Sequence, residues 1–434
     1  MNNKNYTYEN NIFNFESCVG EFNYKLFQEF DSKAENLDLK LKIEDLINGE
    51  VVNKTENQAA WHPKYRKKGP ISINILYKHI QNIRKKHKKG KINILTIGIG
   101  GSYEGPKLLI ESLKSPESRE EYNFQFLTGS DMKEFTYKTS LLDPKMTIFI
   151  ISSKSFTTDE TIQMLKSAID WSPNLNNFIV ITSNVKEANK YGFNNKNIVS
   201  FDKEIGGRYS IWSPIAQIPL LEKNSYELFI NGGNFADQEL INNKEYLRFI
   251  KQLSFTDIWL HNNKNKSIRV VLSYIWSLRS FANYVQQLEM ESLGKHANST
   301  SEYTKTGQTI FGGYGPTAQH SYFQLLHQGT GDICADIISS KEDPKSLSYA
   351  QSIVQSKLLS YGAEDLKEEE KINANVPVNL FLLKKLDPFT IGYLVATWEH
   401  RVFVTATMLE INPFDQFGVS AGKLYTKKYL KQKN

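Results

Sequence analysis

Cysteine is nearly missing: Cys18 and Cys334 are the only two in 434 residues, too few for a disulfide framework or a four-cysteine zinc site. That scarcity suits a reducing compartment, with both thiols expected as packing groups. No stretch approaches the roughly 18 uninterrupted apolar residues of a membrane-spanning helix. The first eighteen residues are rich in Asn and Tyr and lack an apolar signal core, so a cytoplasmic address and no membrane partner are expected. A large excess of one charge is also missing. The 53 Lys and Arg against 47 Asp and Glu leave +6, which suits small anions as readily as polymers and selects neither. There is no short-period repeat, no low-complexity tract and no HExxH-type metal motif, so no metal and no cofactor are expected.

What is present points to packed α/β lobes. Hydrophobic residues make up 40% and aromatics 12%, enough for real cores, and the length exceeds what one core fills. A basic helix over residues 76–89, closed by Gly90, runs into the apolar strand 92–97. Residues 146–151 and 178–182 repeat the buried-strand pattern between helical stretches, which implies an alternating parallel sheet. A second set follows, with a strand over 269–272 and a helix over 278–292 whose Leu278, Phe281, Ala282, Val285 and Leu288 share one face. The expected division is an N-terminal helical arm (1–70), a first lobe (71–222), a second lobe (223–389) and C-terminal helices packing on the lobes (390–434).

Two turns carry candidate chemistry. The strand 92–97 ends in Gly98-Ile99-Gly100-Gly101-Ser102-Tyr103-Glu104-Gly105-Pro106, whose backbone N–H groups could face a bound group closely. It breaks the dinucleotide fingerprint at Tyr103 and the nucleotide phosphate-loop pattern at Pro106; a plain strand-to-helix connection is the alternative. The next strand runs into Ser152-Ser153-Lys154-Ser155-Phe156-Thr157-Thr158 at a helix start. Hydroxyls, a lysine and a helix N-terminus suit a phosphate dianion held without metal; ordinary Ser/Thr capping is the other reading.

Acid, base and charge candidates lie further on. Arg208 follows Gly206 and Gly207, which would let a guanidinium face a ligand. Glu291 lies near a helix end that Gly294 closes, where the dipole opposes a carboxylate and makes it a stronger base. His320 and His327 fall in an expected helix over 318–330, about 10 Å apart by helical rise, too far to share a metal. Lys423 sits near the start of a basic terminal helix. Each has a plainer reading as a solvated or packing side chain. The run Arg84-Lys85-Lys86-His87-Lys88-Lys89 lacks aromatics and ends a helix, so a solvated turn is expected there and no nucleic acid.

Taken in order, the blocks 98–106, 153–161, 206–213, 287–295, 319–330 and 414–423 resemble the phosphoglucose isomerase family along most of the chain. The resemblance implies an α/β fold of two sugar-isomerase-type, flavodoxin-like three-layer lobes with parallel sheets, plus N- and C-terminal helical segments. It implies that Ser153, Lys154, Ser155 and Thr158 hold the phosphate, and that Gly101, Ser102, Gly207, Gln287 and Gln416 line the sugar. Glu291 would be the base, Arg208 would sit over the enediolate, and His320 with Lys423 would open the ring. A homodimer is implied, with His320 contributed across the interface. Tyr103-Glu104 stands where Asp-Leu is common, Ser155 where Thr is common, and Gly313 to Ala318 departs from an Glu-Pro-Gly type.

The implied activity is the interconversion of glucose 6-phosphate and fructose 6-phosphate, within glycolysis and gluconeogenesis. A carbon acid beside a carbonyl needs a positioned base and charge stabilisation, and one carboxylate serves both directions through a cis-enediolate. The rivals are a dual isomerase that also takes mannose 6-phosphate, a non-catalytic sugar-phosphate sensor and, on the basic run alone, a nucleic-acid binder.

Overall fold

The computed structural model describes residues 5–67 and 73–433. Its strands, numbered along the chain, are β1 Tyr6–Glu9, β2 Phe13–Ser17, β3 Ile92–Ile97, β4 Tyr122–Leu127, β5 Thr147–Ser152, β6 Phe178–Thr182, β7 Ile198–Ser200, β8 Ile268–Ser273, β9 Thr309–Tyr314, β10 Ile333–Ser340 and β11 Val378–Leu383. They build two sheets in two compact units, one of Trp61–Phe235 with Leu386–Leu394, the other of Met1–Ala60, Ala236–Lys385 and Val395–Asn434. The boundary expected at residue 70 falls outside the described residues.

The first unit holds the wholly parallel sheet β4-β3-β5-β6-β7. Every residue of β3, β5 and β6 is buried, which is why these segments read as unbroken apolar runs rather than alternating ones. Helix Asp159–Trp171 shows the matching logic. Asp159 and Glu160 favour its N-terminus, and Thr161, Met164, Leu165 and Ala168 form the buried stripe. That stripe packs with Leu95, Ile97, Phe149 and Ile151 of the sheet. The strand order reverses direction between β3 and β5, and in such sheets the crevice beyond the strands' carboxyl ends at that point is where ligands bind. The basic run ends helix Asn74–Lys86, where Arg84 Nη1 donates to the Gly90 carbonyl at 2.7 Å and the flanking lysines 85, 86, 88 and 89 are exposed.

Lys114 is an unusual tenant of this unit. It is buried, donates to the Pro219 carbonyl at 3.2 Å and lies over the Phe124 ring. Burial, only partly opposed by Glu222, pulls its amine down to about 6. A depressed folded value means that the unfolded chain binds more protons between about pH 6 and the ordinary lysine range, so this group's penalty shrinks as pH rises. Lys114→Met is therefore expected to raise the melting temperature by a few degrees near pH 7, and the gain should fade towards pH 10. Melting curves at several pH values check this; a gain independent of pH would contradict it.

In the second unit the order is β1-β2-β11-β10-β8-β9, with β8 to β11 parallel and the β1/β2 hairpin added antiparallel. The N-terminal segment is thus not purely helical: residues 6–17 supply two strands ahead of helices Tyr24–Asn36 and Leu39–Asn48. The period-two placement of Phe13 and Phe15 is the reason. Both rings are buried against Phe249 and Phe381, a pattern a helix would scatter over its faces. Of the two helices expected to pack at the C-terminus, Pro388–Met408 is largely buried, whereas Ser420–Lys433 is exposed at residues 420–432, its lysines interleaved with its apolar side chains.

Beneath this sheet lies a buried charge cluster. Arg401 makes two 2.7 Å contacts to the Asp257 carboxylate and one of 2.7 Å to Asp336. Arg269 pairs with Asp257 at 2.8 Å and with Glu289, and Asn379 donates to Asp336 at 2.9 Å. Burial pushes the Asp257 carboxyl up, but the two guanidinium groups overcome it and hold Asp257 below the usual carboxylate range.

Candidate active site

In the first unit the glycine-rich turn emerges from β3 as the 3-10 turn Gly100–Ser102 and feeds helix Glu104–Leu113. Gly100 has φ +58°, and a Cβ on Gly101 would fall 1.8 Å from the Gly207 carbonyl oxygen. Glycine at 101 is therefore required for the turn to meet the Gly206–Gly207 segment backbone to backbone. Ser210 Oγ ties the two by donating to the Gly101 carbonyl at 3.1 Å. Ser102 and Arg208 are buried and Gly207 is exposed.

The hydroxyl-rich loop leaves the neighbouring strand β5. Ser153 is buried; its N–H donates to the Ile181 carbonyl, and its Oγ accepts from Phe156 N–H at 3.1 Å and lies 3.5 Å from Thr158 Oγ1. Phe156 adopts a left-handed conformation, φ +55°, with its ring buried in the core. That anchor turns the chain sharply enough to keep Ser155 and Thr157 exposed. The Lys154 carbonyl is held by Ser183 N–H, Ser183 Oγ and Thr182 Oγ1. Thr158 occupies the N-cap position of Asp159–Trp171, but its hydroxyl does not bond the first turn. Ser152 Oγ, buried at the strand end, has no partner among the described residues. The two turns thus leave adjacent strands on both sides of the reversal point, with serine and threonine hydroxyls at a helix N-terminus, an arrangement suited to a dianion.

In the second unit Glu291 lies half-buried in the last turn of helix Phe281–Leu293, which Gly294 closes by donating to the Met290 carbonyl. One turn earlier Gln287 Nε2 donates to Glu291 Oε2 at 3.2 Å, as the i,i+4 spacing dictates. Lys295 Nζ donates to the carbonyls of Glu291 and Asp415 at 2.8 and 2.5 Å and pairs with Asp415 Oδ1 at 3.3 Å. Thr55 Oγ1 donates to Asp415 Oδ2 at 2.8 Å, and Asn412 Nδ2 donates to Asn53 Oδ1 at 2.8 Å. The helix end carrying Glu291 and the loop leading to Gln416 are therefore fastened together by Lys295, Asp415, Asn53 and Thr55. Sequence reasoning passed over these four because each is an ordinary polar residue whose partner is distant along the chain.

The expected helix over 318–330 is broken. Helices Gly315–Ala318 and Phe323–Gln328 flank a turn that holds His320, which is exposed. His327 instead has a structural partner, Gln355 Oε1 at 2.8 Å. Gln416 and Lys423 are exposed. Contacts thus join Gly101 to Gly207, Ser153 to Thr158, and Gln287 to Glu291; among the described residues no hydrogen bond or ion pair joins His320, Gln416 or Lys423 to another expected site residue. Among the described residues no group of three or more His, Cys, Asp or Glu could hold a metal ion, and no helix is long and apolar enough to cross a membrane.

Two such sheets, with a hydroxyl cradle at the reversal point of the first, define a sugar-isomerase-type α/β protein. The solved glucose-6-phosphate isomerase of Chlamydia trachomatis shares this fold, with a TM-score of 0.83 at 21% identity over 98% of this chain and 89% of that one. A hypothetical protein of Thermus thermophilus gives 0.72 at 21% identity over 95% and 98%. Residues 20–434 match the phosphoglucose isomerase family model. Glucose-6-phosphate isomerases of Shewanella baltica strain OS223 and Wigglesworthia glossinidia brevipalpis are 32% and 31% identical, over 90% and 91% of this chain and 82% of each relative. The chain belongs to the phosphoglucose isomerase family.

Proposed function

We infer that the chain is an aldose–ketose isomerase interconverting glucose 6-phosphate and fructose 6-phosphate, a step of glycolysis and gluconeogenesis. The observation that carries this is the family match over residues 20–434. In this reading Ser153, Lys154, Ser155 and Thr158 take the phosphate, using hydroxyl donors, an ammonium and the positive end of helix Asp159–Trp171. Gly101, Ser102, Gly207, Gln287 and Gln416 line the sugar.

Glu291 is the base. Its carboxylate removes the proton from C2 of the open-chain aldose and returns it to C1, while a proton moves between O1 and O2. The intermediate is a planar enediolate whose negative charge Arg208 offsets. The Gln287 amide, donating to Glu291 Oε2, orients the carboxylate towards the carbon acid. Because sugar phosphates are mostly cyclic, His320 and Lys423 handle the ring oxygen first. His320 is exposed in its own chain, which agrees with a role in a neighbouring subunit of a homodimer, and the near absence of cysteine suits a cytoplasmic address.

The test is coupled turnover of glucose 6-phosphate with a chelator present and mannose 6-phosphate run alongside. Turnover of the glucose compound is expected with chelator, and His320→Ala should slow cyclic substrate more than an open-chain analogue. Absent turnover by folded protein would sink the assignment; equal losses on both substrates would remove His320 from ring opening.

A further inference from the structure

The amino-terminal edge of the first sheet carries a cavity of about 1120 Å³ that the isomerase reading does not use. Helix Asn74–Lys86 forms one wall, and the segments entering β5, β6 and β7 form the other. Lys78, Lys85, Lys86, Lys145 and Lys196 line it together with His79, and none of its eighteen lining residues is Asp or Glu. About two acidic residues would be expected by chance from the chain's 47 in 434. Among the described residues none of these five lysines is in an ion pair. The carboxylate nearest in sequence, Asp143, accepts from the Lys145 backbone N–H instead. Ile75, Ile83 and Ile148 give the cavity an apolar floor. Five uncompensated ammonium groups around one concavity repel one another and focus a positive potential that a bound anion relieves.

We propose that this cavity binds a compact polyphosphate anion, either an inorganic chain of three phosphates or the triphosphate of a nucleotide. Lysine ammonium groups bind phosphate as point charges and do not need the planar fork of arginine. His79 adds a further contact. Its Nδ1 lies 2.8 Å from the Ile75 carbonyl, which can only accept, so Nδ1 carries the proton and Nε2 is left to take one when an anion arrives. Burial, with Lys196 adding to it, outweighs the Ile75 hydrogen bond and keeps that imidazole below its ordinary value. The lining contains no Phe, Tyr or Trp ring on which bases could stack, which disfavours single-stranded nucleic acid. The site lies at the amino ends of the strands whose carboxyl ends carry the hydroxyl cradle, and the six-residue β5 separates the two by roughly 20 Å. It is thus distinct from the sugar-phosphate site.

Titration calorimetry on the full chain tests this, with saturating glucose 6-phosphate present to occupy the cradle. The probes are inorganic tripolyphosphate, a metal-free nucleoside triphosphate and a thymidine oligonucleotide. Saturable binding of tripolyphosphate that weakens with added salt is expected, with a loss of at least ~10-fold in Lys145→Gln/Lys196→Gln and unchanged isomerase turnover. Tighter binding of the nucleoside triphosphate would place a base on the apolar floor; equal binding would confine recognition to the phosphates. Equal affinity of tripolyphosphate for the variant and the parent, or no saturation by millimolar probe, overturns the proposal. So does an oligonucleotide that binds more tightly than either small probe.

Discussion

Glu291→Gln is expected to lower turnover by at least ~10²-fold while the melting temperature stays within a degree or two of the parent, because general-base catalysis commonly contributes that much. Glutamine preserves the shape of the side chain and keeps an oxygen to accept the 3.2 Å hydrogen bond from Gln287 Nε2. It removes only the capacity to take a proton from carbon. Lys295 also grips the Glu291 backbone carbonyl, a contact the substitution leaves in place. Loss of activity with intact folding is therefore a statement about chemistry. A Gln287→Ala variant should show a smaller loss, mainly in turnover, because the carboxylate would be less well oriented but still present. Near-normal rates in folded Glu291→Gln protein would remove this residue from the mechanism and, with it, the single-base scheme.

Removing the charge of Arg401 should cost the most stability. Arg401→Met leaves Asp257 and Asp336 buried with only Arg269 and Asn379 to satisfy them, and breaking a buried ion pair on one side costs about 3–5 kcal/mol. Both carboxylates are less than a tenth exposed, so water cannot stand in for the lost guanidinium. Denaturant unfolding of the second unit's signal should show the loss at neutral pH. The pH dependence has a defined sign: a carboxyl held low in the folded state contributes stability above its unfolded value, and this is lost as pH falls through the folded one. For Asp257 that places the parent's loss below the ordinary carboxylate range, and the variant's midpoint should be less sensitive to acid. A change under about 1 kcal/mol would show that the cluster is dispensable to folding.

The two candidate site turns are legible in the sequence because their parts are local. The strands β3, β5 and β6 announce themselves as short apolar runs, and each of the two site turns follows its strand directly in sequence. Glycine at 101 was visible as a turn residue, but its necessity was not, since the carbonyl it would strike belongs to Gly207, more than a hundred residues away. The histidine segment misled in the opposite way. Its composition is compatible with one helix from residue 318, yet the structure places a turn at 319–322, leaving His320 exposed between two short helices. Arg269 was read only as part of an apolar strand; its charge had no visible partner, because Asp257, Glu289 and Asp336 come from other elements.

By itself, the sequence determined the α/β class, the positions of the main strands and the order of the chemical blocks, because burial patterns of strands and glycine-bearing turns are written in neighbouring residues. Tertiary structure alone decided which polar groups meet. It joined Lys295 to Asp415, Thr55 to the same carboxylate, and Gly101 to Gly207, and it collected five lysines from three separate stretches of chain around one cavity. Such pairings depend on the register of sheets and the docking of helices, quantities set by the whole core rather than by any local run of residues.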